Sequence, residues 1–246
     1  MKKITYVLMA ILTILMLPSK MYAQSEQTDE KLIADTLITI LNPYIEKEID
    51  HYYGYPKQYG LYDVKILKIV RESQFGFKVN LEVTTFEHAH SPPNSKEIIT
   101  FEVSPTGVST LRYKHEADDV EKAIDAFYRA TLSDIQQSFN LDLSSYISYR
   151  YDQLQYQAEI NNDMKPLAAI AEEIATNILF PERKIPYKNV IDPVTFIKGN
   201  TGYMLFKRAD GTNVKYELQK KDGTWIVTDK ASKPGKKMED LLPWYM

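Results

Sequence analysis

The chain has 246 residues, of which 44% are hydrophobic and 26% are charged, and it contains no cysteine. It carries 30 Lys and Arg against 33 Asp and Glu, so its formal net charge is −3. The apolar fraction is too high for a disordered chain, and the length fits one large domain or two of about 100 residues each. The lack of cysteine excludes disulfides, thiolate metal sites and cysteine nucleophiles, and the charge balance argues against a nucleic-acid-binding protein.

The N-terminus has the pattern of a secretory signal peptide. Lys2 and Lys3 precede an uncharged, mostly aliphatic stretch over residues 4–17, and the small residue Ala23 comes just before Gln24. A stretch of this length is too short to cross about 30 Å of hydrocarbon comfortably, which favours a cleaved signal over a stable anchor. We therefore expect a secreted or cell-surface protein, with an uncleaved N-terminal anchor as the alternative.

Residues 24–116 are predicted to form one α+β module. Apolar residues at spacings of three and four between Leu32 and Ile49 indicate an amphipathic helix, in which Pro43 is expected to introduce a kink or a break. Four strands are predicted over residues 61–70, 75–83, 99–103 and 108–114. The first of these strands is apolar on both faces at its centre, which predicts that both faces are covered. The implied unit is a helix packed on an antiparallel four-strand meander.

Residues 117–246 repeat the order of helices followed by a meander. Helices are predicted over 117–140 and 164–179, whereas the tyrosine-rich segment 141–163 fits either a helix or an extended segment. Four strands are predicted over residues 194–198, 203–208, 214–219 and 225–229, with Asp-Gly turns before the last two. The sequence thus predicts an α+β protein of two modules, with a signal peptide over residues 1–23 and a boundary at residues 116–119.

Three segments of the first module resemble an uncharacterised family of small exported proteins from endospore-forming Gram-positive bacteria, known as a domain of unknown function. They are residues 41–54 (LNPYIEKEIDHYYG), 59–70 (YGLYDVKILKIV) and 85–101 (TFEHAHSPPNSKEIITF). The resemblance covers residues from about 30 to 115, and His88 stands where the family pattern suggests a small residue. It implies export and a compact domain, and it implies no activity.

The second module ends in the sequence KKDGTWIV, at residues 220–227, after two predicted hairpins. This ending is similar to the last strands of cystatin-like and nuclear-transport-factor-like folds. The similarity implies that the helices and the sheet are layered as they are in those folds.

Glu87, His88 and His90 form the one cluster with metal-ligand chemistry. In an extended segment His88 and His90 point the same way, and His115, at the end of the last strand predicted for the same sheet, is the third candidate ligand. A tetrahedral site needs three or four converging ligands. The alternative is that residues 87–94 are a polar loop between strands, stiffened by two prolines, in which His90 bonds the backbone.

The 18 tyrosines are concentrated over residues 44–62 and 146–156. A tyrosine ring offers contact area with a polar tip, so such clusters line ligand or carbohydrate pockets in many proteins. The candidate ligand-binding residues are Tyr52, Tyr53, Tyr59, Tyr62 and His90. The alternative is that the tyrosines lie at core edges and in hairpin pairs.

Several enzyme signatures are absent from the sequence. It has no Gly-x-Ser-x-Gly, no phosphate-binding glycine loop, no His-Glu-x-x-His, no Ser-x-x-Lys and no dinucleotide fingerprint. No catalytic residue and no cofactor is therefore predicted. The favoured interpretation is an exported, non-enzymatic protein that binds an extracytoplasmic protein or a small ligand, with no nucleic acid as partner and no membrane span in the mature chain.

Two other interpretations stay open at this point. One is a secreted metal-dependent hydrolase centred on His88 and His90. The other is an assembly or folding partner within the cell envelope, which predicts an exposed apolar patch near residues 241–245.

Overall fold

The computed structural model describes residues 29–87, 91–182 and 191–237. The chain divides between Thr39 and Ile40 into two compact units. The predicted α+β class is confirmed, because the described residues form four α-helices and two antiparallel sheets of five strands each. The sequence predicted four strands in each sheet, so the strand number was wrong.

The helices are α1 (Asp29–Tyr53), α2 (Asp119–Phe139), α3 (Tyr151–Ile160) and α4 (Lys165–Ile174). The first sheet contains β1 (Gln58–Tyr59), β2 (Lys65–Arg71), β3 (Phe77–Glu87), β4 (Ser91–Ser104) and β5 (Gly107–Glu116). The second contains β6 (Ile147–Tyr149), β7 (Ile191–Lys198), β8 (Thr201–Lys207), β9 (Asn213–Lys221) and β10 (Thr224–Lys233). The predicted signal peptide, the pair His88 and His90, and the apolar end of the chain lie outside the described residues.

In the unit that ends at Thr39, residues 29–39 form the first turns of α1. Asp29 and Glu30 lie in its first turn, where negative charge suits the helix dipole. The hydroxyl of Thr36 donates to the carbonyl oxygen of Leu32 over 2.7 Å. The helix thus begins with favourable charge and a hydroxyl turned back on the backbone.

α1 continues through Pro43, so of the two predicted outcomes the break was wrong, and a kink stays a prediction. The proline removes one backbone hydrogen bond and costs about 3 kcal/mol in a helix interior. Leu41, Ile45 and Ile49, on both sides of it, are fully buried. Burying aliphatic side chains of this size contributes about 1.5–3 kcal/mol each, which offsets the cost and keeps one helix.

β3 is the inner strand of the first sheet. It pairs with β4 along one side, and with β1 and β2 at different points along the other. Val79, Leu81 and Val83 are buried, as the strict alternation in this part of the sequence predicts. β1 is the additional strand, and with two residues it is too short to give a sequence pattern.

Two details of the first sheet differ from the prediction. The segment 61–70 begins with a 3-10 turn, and in β2 Leu67 and Ile69 are each 48% exposed, so this strand is not covered on both faces. β2 pairs with β3 alone and is therefore an edge strand. Residues 91–94, predicted to belong to a polar loop, are the beginning of β4.

The second sheet has the order β10-β9-β8-β7-β6 and packs against helices on both faces. On β8, Met204 and Phe206 join the core formed with α3 and α4, while Leu205, between them, joins the core formed with Ile135 of α2. β6 is the additional strand here. The segment 141–163, left open by the sequence, contains both this strand and α3.

α2 contacts both sheets, because it packs on β8 and β9 and also on β4. The predicted boundary at residues 116–119 falls between β5 and α2. Independent folding of the two halves stays a prediction. None of the described helices combines the length and the apolarity needed to cross a membrane.

A buried ion pair fastens α2 to the second sheet. Lys207 is 2% exposed, and its ammonium is 2.5 Å from Oδ2 of Asp134. The side chain of Asn213 donates to the same oxygen over 2.9 Å, and the backbone N–H of Lys236 does so over 3.1 Å. Burial raises the pKa of Asp134, but the hydrogen bonds from Lys207, Asn213 and Lys236 outweigh burial and lower it to about 2.

Candidate functional site

Glu97 of β4 is a carboxylate with no exposed surface. It lies opposite Val83 of β3, in the inward-facing phase of the strand, where a carboxylate is costly unless it is hydrogen-bonded. The hydroxyl of Tyr53 donates to Oε1 over 2.8 Å, and that of Tyr113 donates to Oε2 over 2.7 Å. The hydroxyl of Thr85 donates to Oε1 over 3.2 Å. These contacts hold the last turn of α1 on β3, β4 and β5.

His115 links this carboxylate to a second one. Its Nδ1 is 3.0 Å from Oε1 of Glu97, and its Nε2 is 3.3 Å from Oε2 of Glu121. We name Glu97, Tyr53, Tyr113, Thr85 and His115 together the Glu97 network. Both ring nitrogens of His115 thus face carboxylates, Glu97 inside the network and Glu121 outside it.

Tyr52 covers the network from the side of α1. Its ring stacks on Tyr113, with centroids 5.1 Å apart, and on His115, with centroids 4.8 Å apart. The two partners are adjacent on one face of β5, so one tyrosine ring covers both. Tyr52 itself remains 48% exposed and presents the rest of its ring to the outside.

The first turn of α2 is fixed on the start of β4. The backbone N–H of Glu121 donates to Oδ1 of the N-cap residue Asp118 over 2.7 Å. The N–H of Asn94 donates to the other oxygen of Asp118 over 2.6 Å. The hydroxyl of Ser95 donates to the carboxylate of Glu121. Glu121 is thus held in place by the helix start, by β4 and by His115.

A cleft of about 490 Å³ lies beside the network, bordered by the end of α1 and by the first turns of α2 and α3. This volume is within the range of small-molecule sites. Its aromatic lining consists of Tyr52, Tyr53, Tyr55, Tyr128 and Tyr151. Its charged lining consists of Glu87, Glu121, Asp125, Asp152 and Asp192 with Lys57 and Arg150. We call it the tyrosine cleft.

Each of the two basic residues of the tyrosine cleft contacts a carboxylate and an aromatic ring. The side chain of Lys57 is 4% exposed and pairs with Glu87, and its ammonium is 5.1 Å from the centre of the Tyr53 ring. Arg150 donates to Asp125 over 2.6 Å, and its guanidinium lies 4.8 Å from the centre of a second ring, that of Tyr128. Both basic side chains of the cleft are therefore held by a carboxylate and by a ring face together.

Burial and carboxylates act together on the tyrosines at this site. Burial raises the pKa of Tyr113, and its hydrogen bond to Glu97 raises it further. The pKa of Tyr52 is raised by burial and then by the negative charges of Glu97, Glu121 and Asp125. Both phenols are therefore neutral at physiological pH, and Tyr113 is held as a hydrogen-bond donor.

Gln153 joins the two helices that border the cleft. Its amide nitrogen donates to the backbone oxygen of Tyr53 over 2.8 Å, at the end of α1. Its amide oxygen accepts from the backbone N–H of Arg150 over 2.9 Å, which caps α3. One side chain thus fixes the end of α1 relative to the start of α3.

The predicted site residues fall in different places. Tyr52 and Tyr53 line the tyrosine cleft. Tyr59 lies elsewhere and donates to Asn42 over 2.7 Å, and Tyr62 is 73% exposed. Whether any of these side chains binds a ligand stays a prediction, and so does the role of His90, which is outside the described residues.

The predicted metal site also stays a prediction. Of its three ligands, His88 and His90 lie outside the described residues, and His115 belongs to the Glu97 network. Within the part of the chain that the structure describes, no group of three or more His, Asp or Glu side chains is arranged to hold a metal ion.

Sequence reasoning missed Glu97, Thr85, Glu121, Tyr55 and Arg150. One signal was present for Glu97, because it has the same strand phase as Ile99 and Phe101, which are buried. A carboxylate at an inward position of a strand indicates a buried polar cluster. No comparable signal existed for Arg150, which reaches the site from a distant part of the chain.

Two larger depressions, of about 780 and 800 Å³, lie along α1 near Lys47. None of the described residues that line them is buried. The tyrosine cleft is the better candidate, because a fixed polar network supports its wall.

Residues 33–117 match a family model described as a protein of unknown function (DUF3888). The match confirms the predicted presence of an uncharacterised domain in this part of the chain. No curated protein and no solved structure matches the chain. The Glu97 network lies entirely within the matched residues, whereas Glu121 and Arg150 lie beyond them.

Proposed function

We propose that this protein is a binding protein and that the tyrosine cleft is its site for a small polar molecule. The observation that carries the proposal is the complete burial of Glu97 beneath the wall of that cleft. Removing an ion from water costs several kcal/mol, and an aliphatic side chain at this position avoids that cost. We infer that the network serves to position the wall of the cleft, through its members Tyr53 and His115.

The arrangement suits binding because the wall is fixed before a ligand arrives. Tyr53 is held by Glu97, and Tyr52 is held against Tyr113 and His115. Ordering a mobile side chain on binding costs about 0.5–1.5 kcal/mol, and a fixed ring avoids this cost.

We propose further that the protein acts outside the cytoplasm, at the cell surface or in the medium. The positive residues Lys2 and Lys3, the apolar stretch that follows and the small residue Ala23 support export. Sequencing the N-terminus of the protein recovered from outside the cells tests this. We expect Gln24 as its first residue, and recovery from the cytosol alone contradicts export.

The layer arrangement of cystatin-like or nuclear-transport-factor-like folds remains part of the proposal for the second module. Its support is the antiparallel sheet with a core of α3 and α4 on one face. No contact among the described residues favours a metal-dependent hydrolase centred on His88 and His90 or an envelope assembly partner, so neither is proposed.

The test of binding is a ligand-observed NMR screen of amines, neutral sugars, carboxylic acids and dipeptides against the purified protein. We expect at least one class to give hits that are lost in Tyr52→Ala and kept in Tyr62→Ala, the same change at a side chain outside the cleft. A second variant, Asp152→Asn, guards against a folding defect in the first. No hit in any class, or hits that all three variants keep, overturns the proposal.

A further inference from the structure

We propose that the ligand of the tyrosine cleft is a small organic cation with two or three ammonium groups. This inference rests on the proposed function and assigns the chemical class of its ligand. It starts from the charges and the rings that the cleft brings together.

The charge of the cleft favours cations over anions. Among the described side chains that line the cleft of about 490 Å³, five are acidic and two are basic, a difference of three negative charges. The whole chain carries the same net charge over 246 residues, so negative charge is strongly concentrated here. A concave, partly desolvated surface of one sign raises the local concentration of ligands of the opposite sign.

The two cations that the chain itself places in the cleft show how an ammonium group would be held. Lys57 lies between Glu87 and the Tyr53 ring, and Arg150 lies between Asp125 and another tyrosine ring. Each combines an ion pair with a ring face, a contact that adds to the attraction of the charge.

The ring of Tyr52 is the third one that can contact an ammonium group. Tyr52 is 48% exposed, and its partners Tyr113 and His115 cover only part of it. Glu121 and Asp125 line the same cleft as this ring. The geometry thus places an ammonium group between Tyr52 and these two carboxylates.

A bare metal ion fits this cleft less well than an organic cation. No group of three His, Asp or Glu side chains in the described residues is spaced to chelate one. A molecule with separated charges uses carboxylates that are far apart and also contacts the rings. The volume suits a chain of several carbons rather than a single ion.

The experiment is calorimetric titration of the purified protein with spermidine, N-acetylglucosamine and citrate, each at about 20 mM salt and at about 150 mM salt. We expect spermidine to bind, to bind more weakly at the higher salt, and to lose at least fivefold in affinity in Asp125→Asn. The same loss is expected in Tyr52→Leu, which keeps apolar bulk and removes the ring face.

Asp119→Asn is the matched control, because it removes the same charge from the same helix at a side chain that is 98% exposed and does not line the cleft. We expect it to change the affinity by less than twofold. Equal losses in both Asp→Asn variants indicate attraction to the net charge alone and overturn the inference. If N-acetylglucosamine or citrate binds and spermidine does not, the inference of a cationic ligand is overturned and the binding function is supported. If no probe binds, the inference of a cationic ligand is overturned. The binding function itself is then decided separately, by the hits of the NMR screen.

Discussion

Glu97 and His115 are direct partners across β4 and β5, and the imidazole Nδ1 lies 3.0 Å from a carboxylate oxygen that has no exposed surface. The opposite ring nitrogen faces Glu121 on α2. One imidazole therefore connects the interior of the first sheet with the helix that follows it.

Glu97→Gln is expected to lower the free energy of unfolding by about 2 kcal/mol. Hydrogen bonds to a charged acceptor contribute about 1.5–3 kcal/mol. The glutamine amide replaces one acceptor oxygen by an NH₂ group, which faces hydroxyls that donate to Glu97 in the wild type. Urea unfolding measures the loss. Glu102→Gln, the same change at an exposed position of β4, is the control, and we expect it to stay within 0.5 kcal/mol. Equal stabilities of the two variants contradict the role given to the network.

Stability is expected to fall as pH rises above about 10, in part through Tyr59. Burial, and then Glu46 and Asp50, raise the pKa of Tyr59 to about 12, against about 10 in the unfolded chain. Below pH 10 both states keep the proton. Above it the unfolded state releases the proton first, which lowers the free energy of unfolding by up to about 1.4 kcal/mol per pH unit for each such tyrosine.

Tyr59→Phe removes this contribution. At pH 8 the variant lacks only the hydrogen bond to Asn42 and is less stable than the wild type. We expect the difference to shrink above pH 10 and to reverse in sign by pH 12, because the loss through Tyr59 then exceeds the contribution of one hydrogen bond, as measured by urea unfolding at both ends of the range. A difference that stays constant contradicts the pKa assigned to Tyr59.

Asp134→Asn is expected to cost about 3 kcal/mol at pH 7, because it leaves the buried ammonium of Lys207 without its ion-pair partner. The pKa of Asp134 is lowered to about 2, so its stabilising effect is present above about pH 4 and is lost as pH falls through 2. Denaturant unfolding from pH 7 to pH 2 should show the wild type approaching the variant. Asp119→Asn, on the same helix but 98% exposed, should follow the wild type.

Asp118→Ala is expected to lower stability by about 1–2 kcal/mol, since the residue caps α2 and also accepts from the N–H of Asn94. Thermal unfolding measures the effect. Asp119→Ala, one residue further, removes a charge near the helix start together with an exposed ion pair to Lys122, and it should cost a few tenths of a kcal/mol. If the two variants melt alike, the cap contributes nothing beyond its charge.

The elements with a regular sequence pattern were predictable. The alternation from Phe75 to Val83 predicted β3, although the strand begins only at Phe77, and the Asp-Gly turn before Trp225 predicted the last hairpin. In these elements the period of the apolar residues and the turn chemistry agree. The two additional strands were not predictable, because Gln58–Tyr59 and Ile147–Tyr149 are too short to show any period.

The candidate site was only partly predictable. Tyr52 and Tyr53 drew attention through the density of tyrosines, but composition cannot tell which rings share a wall. Gln153 contacts Tyr53 from 100 positions away, and such a contact depends on how separate elements pack. Local sequence patterns carry no information about that packing.

The family match ends at residue 117, just before the helix that carries Glu121. A shorter protein cut at that point would keep the imidazole of His115 and the carboxylate beneath it, but would lose the acidic group on its outer side. The second half of this protein thus supplies the carboxylate that covers the outer side of a buried polar cluster formed by the first half.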